Sequence, residues 1–428
     1  MNFENSRDFA RQMDEKDPLK NYREQFHIPL HEGKQVIYFT GNSLGLQPKT
    51  TREYVNQELD DWARLGVEGH FQAKRPWFSY HELFTEKIAR LVGALPHEVV
   101  VMNQLTVNLH LLMTSFYRPT AERYKIICEA RAFPSDQYAM ESQVRLHGYD
   151  PSTAIIEVHP REGEKNIRTE DIIAEIKQHA DSTALVLFSG VNYYTGQVFD
   201  MQTITSAAHK AGAIAGFDLA HAAGNIMLDL HQWNIDFATW CSYKYLNSGP
   251  GGVSGVFIHE RNAMNQALPR MAGWWGYDKE TRFQMLPGFV PIAGAEGWQL
   301  SNAPVLSMAA HLAALDLFDE AGMEHLVSKS KKLTAFLFFI IESINEQLQQ
   351  NIIEIITPVQ EKERGCQVSM HVRSNGKTVF KELTRQGVIA DWREPDVIRV
   401  APVPFYNTFE EVWKFGDIIH KILADHQR

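Results

Sequence analysis

The chain has 428 residues, 44% hydrophobic and 22% charged, with a formal net charge of −10. That length suits ~2–3 domains with a large core, and the acidic balance argues against a nucleic-acid surface, which needs clustered Lys and Arg. Three cysteines, Cys128, Cys241 and Cys366, are too few for a disulfide framework and point to a reducing, cytoplasmic setting.

No secretory signal is expected at the start, because Met1 to Asp8 has no basic opening followed by an apolar stretch. The most apolar run, Ala335 to Ile341, is far short of the ~20 residues that span a bilayer. Residues 1–40 are expected to form an N-terminal segment packing near a small domain. From about residue 90, the runs Glu98 to Met102, Lys125 to Cys128, Ala184 to Phe188, Ile214 to Phe217 and Val253 to Ile258 read as buried strands. Helical stretches Asn108 to Tyr117, Thr169 to His179 and Ile204 to Ala211 lie between them. Strand and helix in alternation predict an open α/β sheet, mainly parallel, in a large domain over 41–305.

After Pro304 the pattern changes. Leu306 to Ala321 and Ser328 to Gln350 predict long helices, and the cationic cluster Lys329 to Lys332 is expected to face solvent. Strands are predicted at Ile352 to Ile356, Gln367 to Val372 and Ile398 to Val400, with a helix at Val379 to Gln386. A last helix opens on Thr408-Phe-Glu-Glu411, a capping-box pattern. Residues 306–428 therefore predict a smaller C-terminal α+β domain.

Two stretches carry the chemistry. Asp218, in Gly216-Phe-Asp218-Leu-Ala-His221, ends an apolar strand, where open α/β sheets build their sites. Lys244, in Trp240-Cys-Ser-Tyr243-Lys244, follows another candidate strand. An amine and a carboxylate at adjacent strand ends match what pyridoxal phosphate (PLP) demands: the amine forms the imine, and the carboxylate keeps the pyridine nitrogen protonated. The turn Asn247-Ser-Gly249-Pro-Gly251-Gly252 allows close backbone approach. Leu105-Thr106 leads into the helix expected from Asn108, where free N–H groups favour a phosphate, although Thr106 taken alone is more often a plain N-cap. Phe133-Pro134-Ser135-Asp136 follows a strand and offers a ring to stack on the cofactor, or an ordinary turn. No metal site is expected.

These stretches, with Gly41-Asn-Ser43-Leu-Gly45, Ser189-Gly190, Tyr194-Thr-Gly-Gln197 and Arg399-Val-Ala-Pro-Val-Pro404, resemble the kynureninase family of fold-type-I (aspartate aminotransferase-like) PLP-dependent enzymes from about Tyr38 to the last helix. The resemblance implies a catalytic set of Lys244, Tyr243 and Asp218. It implies that His221 lies beside the cofactor ring, Phe133 stacks on it, and Asp136 and Ser189 sit at its polar edge. Leu105, Thr106 and Tyr243 would surround the phosphate. Trp274 and Asn302 would reach the cofactor from a neighbouring subunit, making the enzyme a homodimer. Arg399 would bind the substrate α-carboxylate, as a planar guanidinium can through two parallel hydrogen bonds.

The implied reaction is hydrolysis of L-kynurenine or 3-hydroxy-L-kynurenine to anthranilate or 3-hydroxyanthranilate and L-alanine, in tryptophan degradation or NAD synthesis. Ser43, His70 and Asn302 match the positions lining the aryl end in the hydroxykynurenine-preferring type, so the 3-hydroxy substrate is expected to be preferred. Tyr243, then Tyr194, are the candidate proton donors. Rival readings are a cysteine desulfurase or a small-substrate aminotransferase; the desulfurase would need Cys366 as a mobile nucleophile. A regulatory protein that keeps the fold without catalysis would be expected to have lost Lys244 or Asp218, and both are present.

Overall fold

A computed structural model describes residues 2–373 and 375–426. Seven strands form its large sheet: β1 (Val99–Met102), β2 (Lys125–Glu129), β3 (Ile155–Val158), β4 (Thr183–Ser189), β5 (Ile214–Asp218), β6 (Phe237–Cys241) and β7 (Ser254–Ile258). Their spatial order is β1-β7-β6-β5-β4-β2-β3. Neighbours from β6 through β3 pair in parallel, whereas β7 runs antiparallel to both β6 and β1. The strands are apolar throughout because helices cover both faces: β1, β6 and β7 are buried at every position. Gly255 is needed where β7 passes the Trp240 indole, whose ring atoms would stand 2.1 Å from any Cβ there.

Two elements of this layer are not among those expected from the sequence. Strand β3 is mostly half-buried at the sheet edge. The helix Pro134–Leu146 buries Asp136 and Gln143 alongside Ala139 and Met140, so no clean stripe marks it. The helix expected from Asn108 begins instead at Leu105. Asn108 is a favoured capping residue type, but here its side chain bonds back to the Met102 carbonyl at 2.9 Å from inside the helix.

The C-terminal part has its own apolar cluster around a four-stranded antiparallel sheet. Strands β8 (Ile353–Ile355), β9 (Val368–Val372), β10 (Asp391–Arg393) and β11 (Val397–Val400) lie in the order β8-β9-β11-β10. Helices Met323–Gln347 and Phe409–His426 pack beside it. Thr408 and Glu411 form the reciprocal cap at the start of the last helix, at 3.1 and 3.2 Å. Asp14, from the N-terminal helix Arg7–Glu15, accepts the N–H groups of Phe409 and Glu410 at 2.7 and 2.9 Å.

One expectation fails here. Lys329 is not on a solvated face: it is 6% exposed and pairs with Asp17 at 2.7 Å. A charge pattern read along the chain cannot foresee a partner more than three hundred residues away. No helix among the described residues is long and apolar enough to cross a membrane.

Candidate active site

Parallel pairing brings the carboxyl ends of neighbouring strands to one edge of the sheet. Ser189, ending β4, is in register with Asp218, ending β5. Lys244 follows just beyond the end of the next strand, β6. The loop holding Gly45 closes on the lysine segment: Gly45 N–H donates to the Tyr243 carbonyl at 2.8 Å. A Cβ on Gly45 would meet the Lys244 carbonyl at 2.3 Å, so only glycine allows that approach.

Lys244 Nζ lies 3.0 Å from His221 Nε2 and 5.8 Å from the Phe133 ring centre. Burial, with Lys244 and Arg399 nearby, pushes His221 well below the usual histidine range, so its ring is neutral. Asp218 accepts the Ala220 N–H at 2.7 Å. Burial raises the pKa values of both Asp136 and Asp218; for Asp136 the neighbouring Asp218 adds to the effect. The two acids are therefore harder to ionise than free carboxyls, Asp136 the more so for facing Asp218.

These groups line a cavity of about 140 Å³, together with Leu105, Thr106, Ser135, Ser189 and Tyr243. At one end the hydroxyls of Thr106 and Ser135 meet at 2.7 Å, each in the first turn of a helix. The first bond of the Leu105 helix is Asn108 N–H to the Gln104 carbonyl, leaving the earlier N–H groups for an anion. Pro134 sits beside this wall as the first helical residue, where its missing N–H costs nothing.

The arrangement fits PLP. Asp136 Oδ1 and His221 Nδ1 are buried without partners, and a protonated pyridine nitrogen would supply the positive charge and donor that the acid pair lacks. The two hydroxyls and the helix start match a phosphate.

Other expected residues lie elsewhere in the single chain. Arg399 is 1% exposed behind the cavity, donating to the Tyr193 carbonyl and to Asp391. Ser43 donates to the same Asp391 oxygen at 2.6 Å. His70 contacts the Val67 carbonyl and the Trp77 ring. Asn302 lines a separate cavity beside Gln104 and Gly251, and Trp274 is 44% exposed against Phe283. Tyr194 points away toward Asp396, while Tyr193 lines the cavity edge-on to Phe133. The sequence contains that pair of tyrosines, but only the turn decides which one faces inward.

Glu129 is the functional neighbour that sequence reading passed over. It ends β2 as Asp218 ends β5, a matching signal of one acid closing an apolar strand. Its carboxylate accepts the Ser189 N–H at 3.1 Å and the Ser189 hydroxyl at 2.5 Å, and burial pushes its pKa up to about 7.

At the opposite sheet edge, Glu98, His231 and His259 come within ligand distance of one another. Glu98 already accepts the Leu95 and Glu260 N–H groups there, at 2.8 and 2.7 Å.

Comparison with known proteins resolves the family. Residues 326–419 match the kynureninase C-terminal domain. A kynureninase of Flavobacterium psychrophilum is 58% identical, covering 100% of both chains, and one of Nematostella vectensis is 49% identical over 97% of this chain and 93% of its own. The chain belongs to the kynureninase family. It is thus a PLP-dependent hydrolase. The fold is also that of a cysteine desulfurase from Thermococcus onnurineus, at a TM-score of 0.75 and 17% identity over 97% of this chain and 98% of that one. A cystine C–S lyase variant with glycine linked to its PLP cofactor gives the same TM-score at 16% identity over 90% and 96% of the two chains. At those identities the likeness concerns the fold alone, and the thiol that a desulfurase reading would require to move is held in place here. Cys366 is 1% exposed, its N–H is held by Asn225 at 2.9 Å, and burial pushes its thiol up to about 12.

Proposed function

We propose that this enzyme hydrolyses 3-hydroxy-L-kynurenine in preference to L-kynurenine, giving 3-hydroxyanthranilate or anthranilate and L-alanine, in tryptophan degradation or NAD synthesis in the cytoplasm. The observation that carries the reaction is Lys244 Nζ, 3.0 Å from a neutral His221 beside the Asp136–Asp218 pair.

Lys244 would hold the cofactor's aldehyde carbon, Asp218 and Asp136 its ring nitrogen, Phe133 its face, and Thr106, Ser135 and Tyr243 its phosphate. When bound, the cofactor supplies a sink for the electron pair released at the substrate α-carbon. Lys244 takes the substrate α-proton on Nζ and gives one back to the α-carbon when alanine forms, its amine kept in reach by His221 Nε2. Asp218, anchored by the Ala220 N–H, keeps the ring nitrogen protonated. Arg399 binds the α-carboxylate. Water adds to the γ-carbonyl carbon, the Cβ–Cγ bond breaks, and Cβ takes a proton to give alanine. Tyr243 supplies that proton or protonates the carbonyl; burial raises its pKa, so it stays a phenol able to donate.

The preference for the 3-hydroxy substrate rests on Ser43, His70 and Asn302, polar side chains that would pair a phenol hydroxyl. A site built for such a group discriminates against its absence, because its own polar atoms are otherwise left unpaired. Of these, Asn302, with Trp274, acts from the second subunit of a homodimer. The test is incubation with PLP and each substrate, following 3-hydroxyanthranilate, anthranilate and alanine. A higher kcat/KM for unsubstituted kynurenine removes the preference; sulfide release from cysteine without cleavage of either kynurenine removes the reaction.

A further inference from the structure

Asp391 gathers more polar partners than its place at the rim of the small sheet calls for. It stands directly across from Arg399 in the β10–β11 ladder, so the two side chains leave the sheet on the same face. Its Oδ2 accepts from Arg399 Nη2, from the Ser43 hydroxyl at 2.6 Å and from Arg393 Nη2 at 3.2 Å. Two guanidinium groups thus share one carboxylate, and the cluster keeps one positive charge without an anion.

Arg399 is held at both ends of its fork. Nη1 donates to the carbonyl of Tyr193, which lines the cavity, and Nη2 to Asp391. Nε is buried with no partner. A guanidinium pinned in this way cannot turn, and Nε is the nitrogen of its fork left without a protein partner. The same Asp391 oxygen takes the Ser43 hydrogen, leaving the lone pairs of Ser43 to face a donor.

We propose that Asp391 is a positioning residue that presets Arg399 for the carboxylate of an amino-acid ligand. The inference rests on Arg399 being the carboxylate anchor. Because Asp391 is fixed by strand register rather than by a loop, it stays in place when the ligand arrives and holds the guanidinium in its binding orientation beforehand.

Calorimetric titration of the holoenzyme with L-alanine and with L-alaninamide, which lacks the anionic oxygen pair, tests this. Asp391→Asn keeps the shape and removes the charge; it should weaken L-alanine about tenfold, leave alaninamide within about twofold, and raise KM far more than it lowers kcat. Equal or tighter binding of L-alanine by Asp391→Asn overturns the proposal, since Asp391 would then be a bystander or a competitor. Arg399→Lys is measured alongside: unchanged L-alanine affinity there means that the anchor itself is elsewhere, and both readings fall together. If Asp391→Asn does not fold, Ser43→Ala, which removes one arm from Asp391, should weaken L-alanine about threefold; no change overturns the proposal.

Discussion

Glu129, Asp136 and Asp218 place three buried carboxyl groups around one cavity wall, and their charge state sets what the site can hold. Glu129 has the clearest consequence. Burial raises its pKa from an ordinary 4.5 to about 7, so the folded protein binds a proton that the unfolded chain has released. Its contribution to stability is fully present below pH 4.5 and is lost as pH rises through 7. In cofactor-free protein the loss should be on the order of 3 kcal/mol. Urea unfolding across that window measures it, and Glu129→Gln should flatten the pH dependence there. A slope identical in the variant would show that other groups carry it. Tyr243→Phe is the second test at this scale. It should leave PLP bound and lower kcat by about tenfold to a hundredfold, the range of a lost acid/base contribution; an unchanged kcat takes the tyrosine out of the reaction.

Among the elements, the pair Lys329–Asp17 ties the helix Met323–Gln347 to the N-terminal segment, with side chains 6% and 4% exposed. Removing one partner of a buried pair leaves the other charge uncompensated, so Asp17→Ala should cost about 3–5 kcal/mol. Replacing both residues by Leu and Met should recover most of that, as thermal denaturation of the two variants would report. A double variant no better than Asp17→Ala would mean that the segment is held by other contacts. This pair also marks where sequence reading stops. The apolar runs at Lys125–Glu129 and Ile214–Asp218 locate their strands because burial on both faces leaves a local trace. The fate of Lys329 leaves none, since a lysine in a helical stretch looks the same whether or not a distant aspartate meets it.

For the whole molecule, the residues that lie away from the cavity are the informative ones. Trp274 is half exposed and Asn302 faces a different hollow in the single chain, as they would if they served a second subunit. Mixing Lys244→Ala with Asn302→Ala subunits tests this. If Asn302 acts across an interface, half of the randomly paired dimers contain one intact site, restoring about a quarter of wild-type activity. If Asn302 acts within its own chain, mixing restores nothing. The sequence by itself determined the α/β class, the lysine and aspartate at adjacent strand ends, and the chemistry they imply, because strand burial and strand-end chemistry are written over a few consecutive residues. Only the tertiary structure decided that Tyr193 rather than Tyr194 faces the cavity, that Glu129 stands behind Ser189, and that Asp391 holds Arg399. Each of those depends on a turn, a sheet order or a cross-strand register joining residues far apart in the chain, and such pairings leave no local periodicity to read.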